Sequence, residues 1–77
     1  MTADQLLATM RKALKLPNLG MGDQMGSVRG WDSLRHVQLL LELETTFNVE
    51  IPVDMFGTLT SVASILAYFR ASGNLAA

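Results

Sequence analysis

No cysteine stands anywhere in these 77 residues, which excludes disulfides, thiolate metal sites and a cysteine nucleophile together. A single histidine, His36, gives nothing from which to build a histidine metal cluster. Basic residues are scarce as well: six Lys and Arg against seven Asp and Glu leave a net charge of −1. A nucleic-acid partner needs a cationic face to displace counterions, so that class is set aside. No apolar run approaches the roughly 18 residues of a membrane span. The stretch "MTADQLLATMRKALKL" lacks the basic, apolar and small-residue order of a secretory signal. A cytoplasmic protein is the expectation. Phosphate-cradling GxxxxGK[ST] is missing too, and with so few acids little remains from which to assemble an active site. The chain is expected to work without catalysis, by being bound or by carrying something, and to hold no metal.

What is present favours a small folded domain. Hydrophobic residues make up 49% of the chain and charged ones 17%, too apolar a balance for a disordered tail. The length fits one domain over residues 1–77, with a core of about 2–70 and a flexible tail at 71–77. A chain of this size buries only roughly 60% of its unfolded surface, so it tolerates little damage to its core.

Helical periodicity organises most of it. Leu6, Leu7, Met10, Ala13, Leu14 and Leu16 recur at i, i+3, i+4 and i+7, predicting an amphipathic helix from Thr2 to Leu16. Thr2 serves as cap, Asp4 and the Arg11, Lys12, Lys15 group complement the helix dipole, and Pro17 ends it. Between Pro17 and Asp32 fall Gly20, Gly22, Gly26 and Gly30 with no sustained period, a long loop. Met21, Met25, Val28 and Trp31 are its expected anchors across the bundle. A second helix runs from about Ser33 to Phe47 and closes at Asn48, a residue that tolerates the left-handed conformation. Pro52 makes "VEIP" extended. Val53 to Gly57 has room for one or two helical turns, with Gly57 closing them. A last helix, capped by Thr60 or Ser61, reaches about Arg70 with Val62, Ile65, Leu66 and Phe69 inward and Tyr68 beside them. The fold class is all-α: three main helices and a short one around one core.

The second helix carries two apolar stripes, and a surface helix needs one. His36, Leu39, Leu40, Leu43 and Phe47 form the core arc. Leu34, Val37 and Leu41, flanked by Gln38, Glu44 and Thr45, form the spare one. Pattern alone leaves open whether the spare stripe is more core beneath the loop or an exposed patch for a partner. At the head of this helix "GWDSL" gathers Trp31, Asp32 and Ser33. Either Asp32 or Ser33 can cap the helix, worth about 1 kcal/mol. Equally, a phosphate esterified to Ser33 would sit well against the unsatisfied N–H groups and positive dipole of a helix start.

"GWDSLRHVQLLLELETTFNVEIP" resembles the carrier-protein superfamily of acyl, peptidyl, aminoacyl and D-alanyl carriers. The likeness rests on the Asp-Ser-Leu junction followed by Val37, Leu39, Leu43, Glu44, Phe47, Ile51 and Pro52, and it extends to "LTSVASILAYF". It implies a four-helix bundle of acyl-carrier-protein type, a monomer whose long first loop crosses the bundle. It implies 4′-phosphopantetheine on Ser33, taken from coenzyme A by a separate Mg²⁺-dependent phosphopantetheinyl transferase, with Asp32 serving the transferase's recognition. The arm's thiol would hold acyl or aminoacyl cargo as a thioester. The implied partners are that transferase, a loading ligase and a downstream synthase or transferase. Leu34, Val37, Gln38, Leu41 and Glu44 would meet them, with Met55 and Phe56 of the short third helix as further candidates. Fatty-acid-synthesis carriers place acids where this chain has Arg35, His36 and Gln38, so a dedicated pathway (polyketide, nonribosomal peptide, specialised lipid or aminoacyl transfer) is expected. The competing reading is an unmodified helical adaptor that binds through the Leu34, Val37 and Leu41 stripe.

Overall fold

In the computed structural model, which describes residues 1–75, the expected periodicities become three α-helices: α1 (Ala3–Leu14), α2 (Ser33–Phe47) and α3 (Val62–Ala71). Each starts for a local reason. Thr2 Oγ1 accepts from the Gln5 N–H at 3.1 Å while Gln5 Oε1 accepts from the Thr2 N–H at 2.9 Å. That reciprocal box satisfies two donors the helix would leave orphaned. Ser61 and Ser64 make the same arrangement at the head of α3. Before α2 the cap is Asp32 alone, whose Oδ1 accepts from the Arg35 N–H at 2.9 Å.

The ends are set by left-handed residues. Asn48 closes α2 at φ 54°, as its chemistry predicts. Helix α1 stops earlier than expected: Lys15, not Pro17, makes the turn, at φ 57° and ψ 41°. Pro17 disfavours helical backbone at Leu16, so the chain turns before reaching it. The Leu16 N–H then donates to the Arg11 carbonyl at 2.9 Å, using one of the last free acceptors of the helix.

The short element expected after Pro52 takes the smaller of the sizes allowed and is 3-10 rather than α. Val53–Met55 forms one 3-10 turn, followed by Thr58 and Leu59 N–H groups that both donate to the Met55 carbonyl. With Pro52 before it and Gly57 just after, the segment is too short to nucleate an α-helix. The bundle therefore consists of three α-helices and a 3-10 turn, with no strand among the described residues beyond isolated bridges.

Helix α1 packs against both α2 and α3. Leu6 and Met10 from α1, Leu40 and Leu43 from α2, and Val62, Ile65 and Phe69 from α3 are all fully buried. The long loop is pinned across them, though by partly different residues than expected. Leu19 and Trp31 are buried, Met25 and Val28 pack on the core, and Met21 stands exposed. Backbone bonds do the rest: Met25 N–H to Thr60 O at 2.8 Å and Val62 N–H to Asp23 O at 3.1 Å tie the loop to the start of α3. At the far end, the tail expected from Ala71 keeps contacts through Leu75, which packs on the core, while Met1 donates to the Asn74 carbonyl. Ala76 and Ala77 lie outside the described residues. No described helix is long and apolar enough to cross a membrane.

Candidate functional site at the loop–helix junction

The junction is built from Gly26 to His36. Gly26 and Gly30 sit at φ 90° and 96°, backbone that a side chain makes costly. Between them the chain closes on itself: the Trp31 N–H donates to Val28 O, and the Trp31 carbonyl accepts from the Gly26 N–H, both at 3.1 Å. The tight loop drives the Trp31 ring into the core, where it is 1% exposed. Asp32 then runs extended and turns its carboxylate back onto the first turn of α2. Ser33, the first residue of that helix, stands exposed.

Beneath the surface one side chain fastens the junction. His36 is 3% exposed, and both of its ring nitrogens are engaged. The Trp31 indole N–H donates to His36 Nδ1 at 3.1 Å. Since Nδ1 accepts, the ring hydrogen is assigned to Nε2, which donates to the Phe56 carbonyl at 2.9 Å. One imidazole thus joins the loop, α2 and the turn that follows Val53–Met55. No buried side-chain nitrogen or oxygen among the described residues is left without a partner.

Burial pushes the His36 pKa below its ordinary 6.5, opposed in part by the bond to the Phe56 carbonyl. Protonation at Nδ1 would also set two N–H groups face to face. The sign of the stability effect follows. Below pH 6.5 the unfolded chain takes a proton that the folded chain resists, so stability is complete above that pH and falls on acidification through it. The slope from this one group is at most about 1.4 kcal/mol per pH unit. Thermal midpoints recorded between neutral and mildly acid pH should therefore drop more steeply for the native chain than for His36→Gln. Parallel curves would contradict this account.

The other residues singled out from the sequence separate into two sets. Leu34, Val37 and Leu41 are 68%, 41% and 50% exposed, which decides the question the pattern left open: the second stripe of α2 faces solvent. Gln38 lies exposed beside it. Glu44 is half-buried, with Oε2 accepting from the Ile51 N–H at 2.9 Å, so it also fastens the segment after α2. Met55 and Phe56 are half-buried against the core. Val53, 83% exposed on the 3-10 turn, adds an apolar surface residue that periodicity did not single out, since so short an element has no period to read. The Phe56 carbonyl is a backbone group and leaves no trace in the sequence.

Comparison with known proteins adds one finding. The family model described as "phosphopantetheine attachment site" matches residues 4–69. No curated protein and no solved structure matches the chain.

Proposed function

The chain belongs to the phosphopantetheine-attachment family, whose members carry a covalent 4′-phosphopantetheine, and from that premise we propose that Ser33 is the residue that bears the arm. One observation carries the assignment: Ser33 is exposed at the start of α2 while its neighbour Asp32 makes the helix cap. The hydroxyl is thereby spared a structural task. The surroundings fit a phosphodiester, because the first backbone N–H groups of a helix and its dipole favour negative charge there. In the attachment step Ser33 Oγ forms a bond to the phosphorus of coenzyme A's pantetheine phosphate. Adenosine bisphosphate leaves, and the hydroxyl proton passes to a base on the transferase. When bound, the group supplies a thiol on a long tether, which raises the local concentration of whatever it carries for each partner in turn.

The chain's own residues have the remaining roles. Asp32, at the surface beside Ser33, is the feature a phosphopantetheinyl transferase reads. Leu34, Val37 and Leu41 offer the apolar strip on which partners dock, with Gln38 and Glu44 at its edge and Met55 and Phe56 as further candidate contacts. Those partners comprise the transferase, an acyl- or aminoacyl-loading ligase and a downstream synthase or transferase of a dedicated pathway. The carrier itself catalyses nothing and works as a cytoplasmic monomer.

The test is direct. The purified chain, incubated with coenzyme A, Mg²⁺ and a broad-specificity transferase, should gain the mass of one phosphopantetheine. No gain refutes the proposal and favours the adaptor reading, in which Leu41→Asp abolishes partner binding and modification is irrelevant.

A further inference from the structure

Asp32 to Phe47 contains three carboxylates, and all of them stand off the exposed stripe of α2. Asp32 Oδ1 accepts from the Arg35 N–H at 2.9 Å, over the first turn. Glu44 Oε2 accepts from the Ile51 N–H at 2.9 Å, on one flank of the helix. Glu42 lies on the other flank, where it lines a hollow of about 290 Å³ between α1 and α2 together with Lys12. At about 100° per residue, Val37, Leu41, Leu34 and Gln38 fall in the arc between those flanks. All four are exposed.

The apolar face continues onto a second segment. Ile51 is tied to α2 at Glu44, and Phe56 is tied to it at His36, whose Nε2 donates to the Phe56 carbonyl at 2.9 Å. Those two positions on α2 are about 12 Å apart along the axis, so the chain from Ile51 to Phe56 runs back beside the helix. Val53 lies between the ties and is 83% exposed, the highest value of any large apolar side chain among the described residues. Val37 borders the flank that holds this segment, so Val53 widens the stripe on that side. Asp54 comes next and is exposed, but a 3-10 turn rotates it about 120° from Val53.

A cationic patch pressed onto such a face would lose its water and meet no carboxylate there, and burying unpaired charge is costly. An apolar surface gains by the same contact. Only Gln38 then needs a hydrogen bond, which one backbone group of the partner can supply. We infer that the enzyme acting at Ser33 docks here through an uncharged apolar groove, which takes Val53 of the 3-10 turn along with Leu34, Val37 and Leu41. The inference rests on attachment at Ser33 and adds the partner's chemistry and a contact residue outside α2.

The broad-specificity transferase is the probe, with coenzyme A and Mg²⁺ saturating, the full chain varied and intact mass giving kcat/KM. Wild type comes first, and no gain of one arm overturns the attachment reading together with this inference. Given that gain, Gln38→Glu and Gln38→Lys should each lower kcat/KM about fivefold or more, through KM, because either sign enters the groove unpaired. Lys12 and Glu42 both line the hollow beside Gln38, so neither sign is favoured within the chain itself. Val53→Asp should lose as much, and Asp54→Asn less than about twofold. Met21→Asp, which adds a carboxylate at an apolar loop residue 55% exposed, should change nothing. All four positions are exposed, and helical circular dichroism verifies the fold of each variant. A faster Gln38→Glu reveals a cationic groove and a faster Gln38→Lys an anionic one; either overturns the inference while attachment stands. An unchanged Gln38 pair, an unchanged Val53→Asp or a large loss in Asp54→Asn does the same. Equal loss in Met21→Asp overturns the assignment to this face.

Discussion

Ser33→Ala is expected to abolish attachment of the arm completely while leaving the fold as it is. The hydroxyl is the nucleophile in the proposed step, and alanine has none. Nothing structural is lost with it, because the cap of α2 is the Asp32 carboxylate on the Arg35 N–H at 2.9 Å. Alanine is also the best helix former and the position is exposed, so stability should change by no more than about 0.5 kcal/mol. Intact mass after incubation with coenzyme A, Mg²⁺ and transferase checks the first half of this result, and a thermal melt checks the second. A mass gain that survives the substitution would move the site to another hydroxyl. A large drop in midpoint would mean that Ser33 has a structural role. Asp32→Ala is the informative contrast. It removes the cap at a cost of about 1 kcal/mol and leaves the nucleophile in place.

Trp31→Ala is expected to leave the chain largely unfolded at room temperature. The ring is 1% exposed and among the largest fully buried side chains of the domain. Truncating a buried tryptophan costs about 3–5 kcal/mol through lost burial and the cavity left behind. Removing its N–H also leaves His36 Nδ1 buried without a donor, a further penalty of about 1–3 kcal/mol. A core of this size supplies only about 3–5 kcal/mol in total, so the loss matches or exceeds the reserve. Urea denaturation followed by helical circular dichroism measures it. Trp31→Phe keeps most of the volume and should cost mainly the unpaired nitrogen. If Trp31→Ala instead melts like the wild type, the junction is held by something other than this ring.

The two substitutions separate presentation from support at neighbouring positions. Ser33 faces out, whereas Trp31, two residues earlier, faces in. Extended backbone at Asp32 makes the difference, turning the chain from a buried loop end to an exposed helix start.

Much of this was written in local pattern. Apolar spacing located the three helices, and cap chemistry placed Thr2 and Asn48 at their ends, while Thr60 and Ser61 were equal candidates until the structure gave the cap to Ser61. The core arc of α2 was legible because each of its members repeats the helical period, and four of them, His36, Leu39, Leu40 and Leu43, are buried. The short third element takes the smaller of the one or two turns that the sequence allowed, and no period could decide between them: four residues between a proline and a glycine look alike whether they make one 3-10 turn or more.

Other features had no local signal. Met21 and Leu19 are both apolar residues in a glycine-rich loop, yet only Leu19 is buried, with its carbonyl accepting from Arg11 Nε at 2.8 Å. Whether Leu34, Val37 and Leu41 were core or surface depended on which face of α2 the rest of the bundle covers. What bonds His36 makes depended on a carbonyl 20 residues away. The sequence by itself determined the helical class, the helix spans to within a turn and the buried arc of α2, because spacing and capping act over a few residues. Tertiary structure alone decided which stripe stays wet, which loop residues anchor, and which groups His36 bonds to, because these depend on segments distant in the chain that meet only when the bundle closes.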